Sequence, residues 1–291
     1  KQADLKTSDL SFIIAPKINA AGRLSDMTTG IQCLLAENLD QASGFAKQLI
    51  KFNENRKLIE SDMVLSAIEE LNDQSFKISH SIVLTNDKWH QGVVGILASR
   101  LKEKYFRPTI IFASFNDEMI KGSGRSIDSF HLRDALDLIS KRHPSLIKTF
   151  GGHAMAAGLS IKKNDFKKFS EIFELTCQEF ITPDLLNQTV EYDKSIEPEN
   201  LNYPLAKMIN EQVWGQGFPA PFFVDKFVVI HQEVIGEKHL KCFLKCEKKY
   251  QAIFFNHNQK LPDKIKAVYS IDTNEFNGNK SLQIIIKSIM E

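Results

Sequence analysis

Apolar positions change their spacing twice along the chain, and the changes divide it. Residues 12–26, FIIAPKINAAGRLSD, are punctuated by Pro and Gly and read as a loop. From about Asp40 to Leu71 the apolar residues Phe45, Leu49, Phe52, Ile59, Met63, Ala67 and Leu71 recur three to four residues apart. That is one stripe of a long helix, and ~30 helical residues span about 45 Å. From Ser81 strand and helix patterns alternate. SIVLT reads as a buried strand, WHQGVVGILASRLKEKY as a turn entering a helix, PTIIFA as a second strand and MIKGSGRS as a third, interrupted by glycine. Leu132, Ala135, Leu136 and Ile139 mark an amphipathic helix. FGGHAMAAG then leads into LSI, a short strand, and Asn164 or Asp165 is placed to cap a helix whose Phe166, Phe169, Phe173, Cys177 and Phe180 share a face. This alternation predicts a small α/β domain.

After Thr182–Pro183 the chain becomes β-rich. Strands are expected around 190–196, 222–235, 239–248, 250–256, 264–272 and 281–289, with one short helix near Leu205–Val213. Five or six strands in roughly 100 residues predict a small barrel of the OB type. The expected division is a loop and long helix over 1–75, an α/β domain over 76–182 and the barrel over 183–291.

Composition adds limits rather than direction. With 43% hydrophobic and 25% charged residues in 291, the chain is that of a water-soluble globular protein of about two domains. The opening KQADLKTSDL has no apolar run of signal-peptide length, no stretch approaches a membrane span, and a start at Lys1 suggests a fragment. Four cysteines are too sparse for a disulfide framework, which fits a reducing cytoplasm. A net charge of +1 supplies no overall field for a polyanion, so binding one must rest on local groups. The basic run Lys141, Arg142, Lys148, Lys162, Lys163, Lys167 and Lys168 is either such a group or a solvated helix face.

Three glycine-bearing segments of the expected α/β domain, and NAAGR ahead of it, are candidates for chemistry. In GSGRS (122–126), Ser123 and Arg125 are two apart on a strand and so face the same side, where a hydroxyl and a guanidinium converge on an anion. In FGGHAMAAG (150–158), Gly151 and Gly152 permit close backbone approach to a ligand, their amides make an anion site if a helix starts there, and His153 can donate to a phosphate oxygen. In WHQGVVG (89–95), Gly92 and Gly95 read as helix–sheet packing; NAAGR (19–23) places Arg23 after a small-residue turn; His90 and Asn19 are candidate substrate contacts. No Asp-x-Asp, Asp-His-His or His-Glu-x-x-His motif is present, so no metal set is expected in this chain. Cys242, Cys246 and His239 do not make a zinc site, because His239 falls on the opposite face of an alternating strand from the thiols.

NAAGR, WHQGVVGILASRL, GSGRS, FGGHAMAAGL, WGQGFPAPFF (214–223) and IGEKHLKCFLK (235–245) stand in the order found in bacterial RecJ exonucleases, and the chain resembles that family over nearly its whole length. The resemblance implies a DHH-associated α/β domain, a preceding linker helix and a following OB-fold. It implies that Mg²⁺ or Mn²⁺ is bound by a DHH domain preceding Lys1, and that the intact enzyme degrades single-stranded DNA 5′→3′ in repair and recombination. It also implies that Arg23, Ser123, Arg125, Gly151, Gly152 and His153 hold DNA phosphates, with His153 catalytic, and that single-stranded-DNA-binding protein and a RecQ-type helicase are partners. Phe218 and Ala220 depart from the Asn and Glu of some relatives. Among barrel aromatics, Phe243 and Phe254 are base-stacking candidates, with barrel core the favoured reading. A phosphodiesterase of the same superfamily acting on nanoRNA or cyclic dinucleotides normally lacks the barrel; a non-catalytic DNA-binding scaffold would not need Arg125 and His153.

Overall fold

The computed structural model describes residues 9–72, 79–215, 217–236, 238–276 and 278–290. The opening residues 1–8, the expected division between residues 75 and 76, Gln216 of the WGQGFPAPFF segment and Glu237 of the IGEKHLKCFLK segment lie outside the described residues. The chain separates into two compact units, 1–188 and 189–291.

In the first unit a π-helical turn, Leu10–Ile14, runs into helix α1 (Ala15–Leu24), followed by α2 (Thr28–Leu34). The segment expected to be a loop is therefore helical. Pro16 falls where the π-helical turn passes into α1 and the helix continues through it, with Ala20 and Ala21 fully buried.

The long helix is α3 (Leu39–Asn72), 34 residues, with Leu49, Met63, Ala67 and Leu71 of the expected stripe buried. A five-stranded sheet follows, in the order β1-β2-β3-β5-β4, with β1 (Ile82–Asn86), β2 (Thr109–Ser114), β3 (Met119–Arg125), β4 (Ile147–Gly152) and β5 (Ala156–Lys162). Only β1 and β2 are parallel.

One face of the sheet carries Ile110, Phe112, Ile120, Leu159 and Ile161. It packs against α5 (Leu132–Arg142) and α6 (Phe166–Phe180), with Phe169 stacked on Phe173 and edge-on to Phe112. The other face carries Ile82, Leu84, Ile111 and Ala113 under α4 (Val94–Tyr105), with Met63 and Ala67 of α3 in the same cluster.

Four local expectations need correction. FGGH lies at the end of a strand, β4, which folds back into β5 as a hairpin, and no helix starts there. The strand read as LSI begins three residues earlier, at Ala156. Helix α6 is entered through a 3₁₀ turn, Lys163–Asp165, and the Asp165 side chain makes no capping hydrogen bond. Phe180, at the last position of α6, is 51% exposed rather than packed with Phe169 and Phe173.

The second unit is a closed five-stranded barrel, ordered β10-β8-β7-β6-β9 and closing from β9 back to β10. Its strands are β6 (Phe223–Ile235), β7 (His239–Lys245), β8 (Lys249–Phe254), β9 (Lys264–Phe276) and β10 (Asn279–Met290). This is the OB-type architecture that strand count and spacing predict. Helix α7 (Tyr203–Asn210) is capped by the Asn202 side chain, which accepts from the Leu205 N–H at 3.1 Å. The strand expected at 190–196 reduces to a single bridge, Lys194 to Phe223. Among the described residues no helix is long and apolar enough to cross a membrane.

Candidate phosphate-binding site

The GSGR run of β3 divides by face. A Cβ on Gly122 would stand 2.6 Å from the Phe112 ring and one on Gly124 2.7 Å from Leu132, so the inward positions are glycine because neighbouring side chains fill their space. The outward positions are Ser123 and Arg125, and they meet as the two-residue period requires: Arg125 Nη1 donates to Ser123 Oγ at 3.1 Å and to the Gly124 carbonyl at 2.8 Å. The serine oxygen is thereby an acceptor from arginine, which frees its own hydrogen for a ligand. The remaining N–H groups of Arg125 have no hydrogen-bond partner among the described residues, which leaves them for a bidentate contact.

Helix α4 covers this face over β2 and β3 and starts beside the pair. A Cβ on Gly95 would lie 2.9 Å from Ser123 Oγ and 3.0 Å from Arg125 Nη2. On Gly92 it would lie 2.0 Å from the Arg23 carbonyl oxygen. The packing role expected of both glycines is thus to let α1 and the start of α4 close onto the pair. Arg23 Nη1 donates to the Gly92 carbonyl at 3.1 Å. Burial, and then the nearby Arg23 charge, hold the Arg125 guanidinium below its ordinary pKa. Two mutually repelling cations held side by side favour an anion between them.

Beyond β3 the same face is open. Ser123 pairs with Gly158 of β5, which pairs with Gly151 of β4, so one row crosses three strands with no side chain past the serine. A Cβ on Gly151 would meet nothing within 4 Å, and one on Gly158 only the Gly122 carbonyl at 3.9 Å. The row is a bare-backbone floor about 10 Å across, two strand spacings. Gly152 has φ +145°, and a Cβ there would stand 2.3 Å from the Ala156 carbonyl oxygen, so it is fixed by the hairpin. His153 is exposed at the hairpin turn, its N–H donating to Ala156 O at 2.8 Å, and Ala156 pairs with Arg125. It flanks the floor two strands from the arginine.

Of the other sequence-predicted residues, His90 Nδ1 accepts from the Gly92 N–H at 3.0 Å, so this nitrogen shapes the turn into α4. Asn19 is exposed on α1 one turn before Arg23 and shares its side of the helix. Gly158 was not singled out from sequence, although it closes the FGGHAMAAG motif and belongs to the floor. Three of the seven residues of the basic run are paired: Lys141 with Asp137 at 2.7 Å, Arg142 with Glu179 at 2.6 Å and Lys163 with Asp87 at 2.7 Å.

The donor set at this site is two guanidiniums, a hydroxyl and backbone, which suits an anion and does not fit a divalent cation. No group of three or more His, Cys, Asp or Glu converges among the described residues. Cys242 is buried with Leu240 and Leu244, and burial pushes its thiol up to about 11. His239 Nδ1 accepts instead from the Asn256 N–H at 3.0 Å. In the barrel Phe254 stacks on His257 at 4.3 Å. Phe243, favoured as core, is instead 37% exposed, because it alternates with the inward Cys242 and Leu244.

Residues 77–179 match the DHHA1 domain model and residues 192–288 the RecJ OB domain model. The single-stranded-DNA-specific exonuclease RecJ of Escherichia coli is 40% identical over 98% of this chain and 52% of its own length. That of Bacillus subtilis is 28% identical over 96% of this chain and 36% of its length. The crystal structure of RecJ from Thermus thermophilus in complex with Mn²⁺ superposes with a TM-score of 0.81 at 25% identity, covering 98% of this chain and 42% of that one. The chain spans about half the length of the enterobacterial relatives it matches. With a DHHA1 domain and a RecJ-specific barrel in that order, and this identity along nearly all of it, the chain belongs to the RecJ family, as its DHHA1-and-OB portion.

Proposed function

We propose that this chain is the DNA-gripping portion of a metal-dependent 5′→3′ single-stranded-DNA exonuclease. The observation that carries the reading is the Arg23, Ser123 and Arg125 cluster beside the glycine floor. A phosphodiester seated there receives the Ser123 hydroxyl and the free N–H groups of both arginines, and the floor lets the sugar–phosphate chain approach the backbone closely. These donors neutralise charge that grows during hydrolysis. His153, at the rim, donates to a phosphate oxygen.

The resident Mg²⁺ or Mn²⁺ does not belong to this donor set; we assign it to a DHH domain outside these 291 residues. In this reading residues 1–75 connect and contribute Arg23 to the grip, 76–182 supply the rest of the phosphate contacts and 183–291 guide the strand. The RecJ OB match over 192–288 supports single-stranded DNA over a nanoRNA or cyclic dinucleotide. Single-stranded-DNA-binding protein and a RecQ-type helicase are proposed partners on the resemblance alone. Four free cysteines fit a reducing cytoplasm.

Titration of a labelled single-stranded oligonucleotide against this chain at several salt concentrations tests the grip. Affinity should fall steeply with salt, by about 0.7 in the log–log slope per phosphate neutralised. Arg125→Ala should weaken binding tenfold or more and make the slope shallower by about one contact. In the whole protein, Arg125→Ala and His153→Ala should lower turnover by ~2–4 kcal/mol of transition-state stabilisation. Salt-independent binding, or an Arg125→Ala chain that binds as the parent does, sinks the reading.

A further inference from the structure

On the first unit a second cationic concavity of about 560 Å³ opens between the N-terminal turn and α1 on one side and α3 and α4 on the other. Five cations line it, Lys17, Arg23, Arg56, Lys57 and Arg100, together with Asn53. Among the described residues two carboxylates pair with them: Glu60 of α3, itself 9% exposed, and Glu103 of α4, 3.5 Å from Arg100. Glu60 takes Arg56 through one oxygen and Arg100, at 2.8 Å, through the other. Arg56 also gives Nε and Nη2 to Asn53 Oδ1, at 3.2 and 3.1 Å.

Asn53 and Glu60 thus lock the Arg56 plane and half of Arg100, and two carboxylates leave the five positive groups in excess. Asn53 is 7% exposed, and its Nδ2 has no partner among the described residues. Lys57 is exposed with no ion pair among the described residues. Both are donors without an acceptor among the described residues, and Asn53 is held in place through its Oδ1. At the opposite wall the Phe12 ring is 80% exposed. A locked guanidinium, spare N–H donors and an open aromatic face in a volume of this size match a phosphate joined to a planar base.

We propose that this concavity binds a deoxynucleoside 5′-monophosphate, phosphate toward Arg56, Lys57 and Arg100 and base against Phe12. The site is separate from the Ser123–Arg125 pair and shares only Arg23 with it. The choice of a deoxynucleotide rests on the exonuclease reading, for which it is the product class; the anion site itself does not depend on that reading.

The test is equilibrium binding of thymidine 5′-monophosphate, thymidine and inorganic phosphate to the 291-residue chain, by calorimetry or ligand-observed magnetic resonance. The nucleotide should bind saturably and at least tenfold more tightly than thymidine or phosphate alone. Lys57→Ala and Phe12→Ala, both at exposed side chains that leave the Glu60 lock intact, should each weaken it severalfold and together tenfold or more. Ser123→Ala should leave nucleotide binding within twofold while weakening oligonucleotide binding. Thymidine or phosphate binding as tightly as the nucleotide overturns the proposal, as does full affinity in the Lys57→Ala, Phe12→Ala double variant. Loss of nucleotide binding in Ser123→Ala also overturns it, since the ligand then sits in the other site. If oligonucleotide binding proves insensitive to Ser123 and Arg125 while the nucleotide results hold, the exonuclease reading fails and this site stands.

Discussion

Strands β3 and β7 follow the same two-residue alternation but place their chemistry differently. In β7 the inward residues Leu240, Cys242 and Leu244 fill the barrel, and Lys241, Phe243 and Lys245 stand outside. In the GSGR run of β3 the inward positions are Gly122 and Gly124, whose space is taken by Phe112, Leu159 and Leu132, and the outward positions are Ser123 and Arg125. A barrel strand is held by its own side chains. The β3 backbone is instead clamped by its neighbours' side chains, and Gly92 and Gly95 bring two helical segments down to van der Waals limits around its outward pair. Glycine on the inward side of a strand therefore marks where backbone position is fixed from outside, and that is where a small ligand's donors can be set.

The largest effect that would test this comparison is Gly92→Ala. The new Cβ meets backbone, the Arg23 carbonyl at 2.0 Å, and backbone cannot rotate away. The first unit should lose about 3 kcal/mol or more, seen as an early transition in urea unfolding, with the barrel's transition unmoved. A first unit as stable as the parent's would mean that α1 is not clamped by Gly92.

In the barrel the same logic predicts a contrast within one strand. Leu244→Ala removes a fully buried side chain and should cost about 2–5 kcal/mol. Phe243→Ala, one residue away but 37% exposed, should cost about 1 kcal/mol or less. Equal costs would show that β7 is not held by alternate inward side chains.

How much of this was legible follows from what each feature depends on. The long helix, the strand–helix alternation and the barrel rest on periodicity, which one sequence carries. Ser123 and Arg125 were readable as a pair because strand geometry alone puts them on one side. The helix through Pro16 was missed because a proline where one helical turn passes into another looks locally like one in a loop. Strand β4 was missed because its IKTFGG pattern buries little beyond Ile147 and ends in two glycines. The Gly92–Arg23 clamp and the Glu60 lock join residues 69 and 40 apart, and no local pattern announces them.

A smaller effect concerns Glu174, the polar tie between the start of β1 and α6. Burial works against its charge. Even so, hydrogen bonds from Ser81 Oγ at 2.6 Å, the His80 amide at 3.1 Å and Gln178 at 2.9 Å prevail, and its carboxyl lies below the ordinary value. A depressed carboxyl contributes stability that is present above the unfolded pKa, about 4.3, and is lost as pH falls through the lower folded value. Glu174→Gln should therefore cost about 1–3 kcal/mol at pH 7 and less at pH 3, because pH 3 lies below the unfolded pKa and part of the linked stability is already lost in the parent. Urea midpoints at the two pH values measure this. A deficit that grows on acidification contradicts the sign.

The smallest change in stability, and the finest test of the comparison, is Gly151→Ala. Gly151 and Gly152 are adjacent, yet the structure treats them oppositely. At Gly152 the backbone has φ +145° and a Cβ would stand 2.3 Å from the Ala156 carbonyl, so alanine there is strained and clashes. At Gly151 nothing lies within 4 Å of a Cβ, and no folded-state neighbour demands glycine. Alanine should leave unfolding free energy within about 0.5 kcal/mol or raise it slightly, since it also restricts the unfolded chain. What it changes is the floor: a methyl group rises from the bare row that runs from Ser123 through Gly158. If phosphate-bearing backbone lies along that row, oligonucleotide affinity should fall severalfold while folding and the salt slope stay as they were, because no charged contact is removed. Unchanged affinity would show that the strand passes elsewhere and that Gly151 is open for no binding reason. A loss of stability above about 1 kcal/mol would show that the row is covered, and the contrast with the filled barrel would fail at its most exposed point.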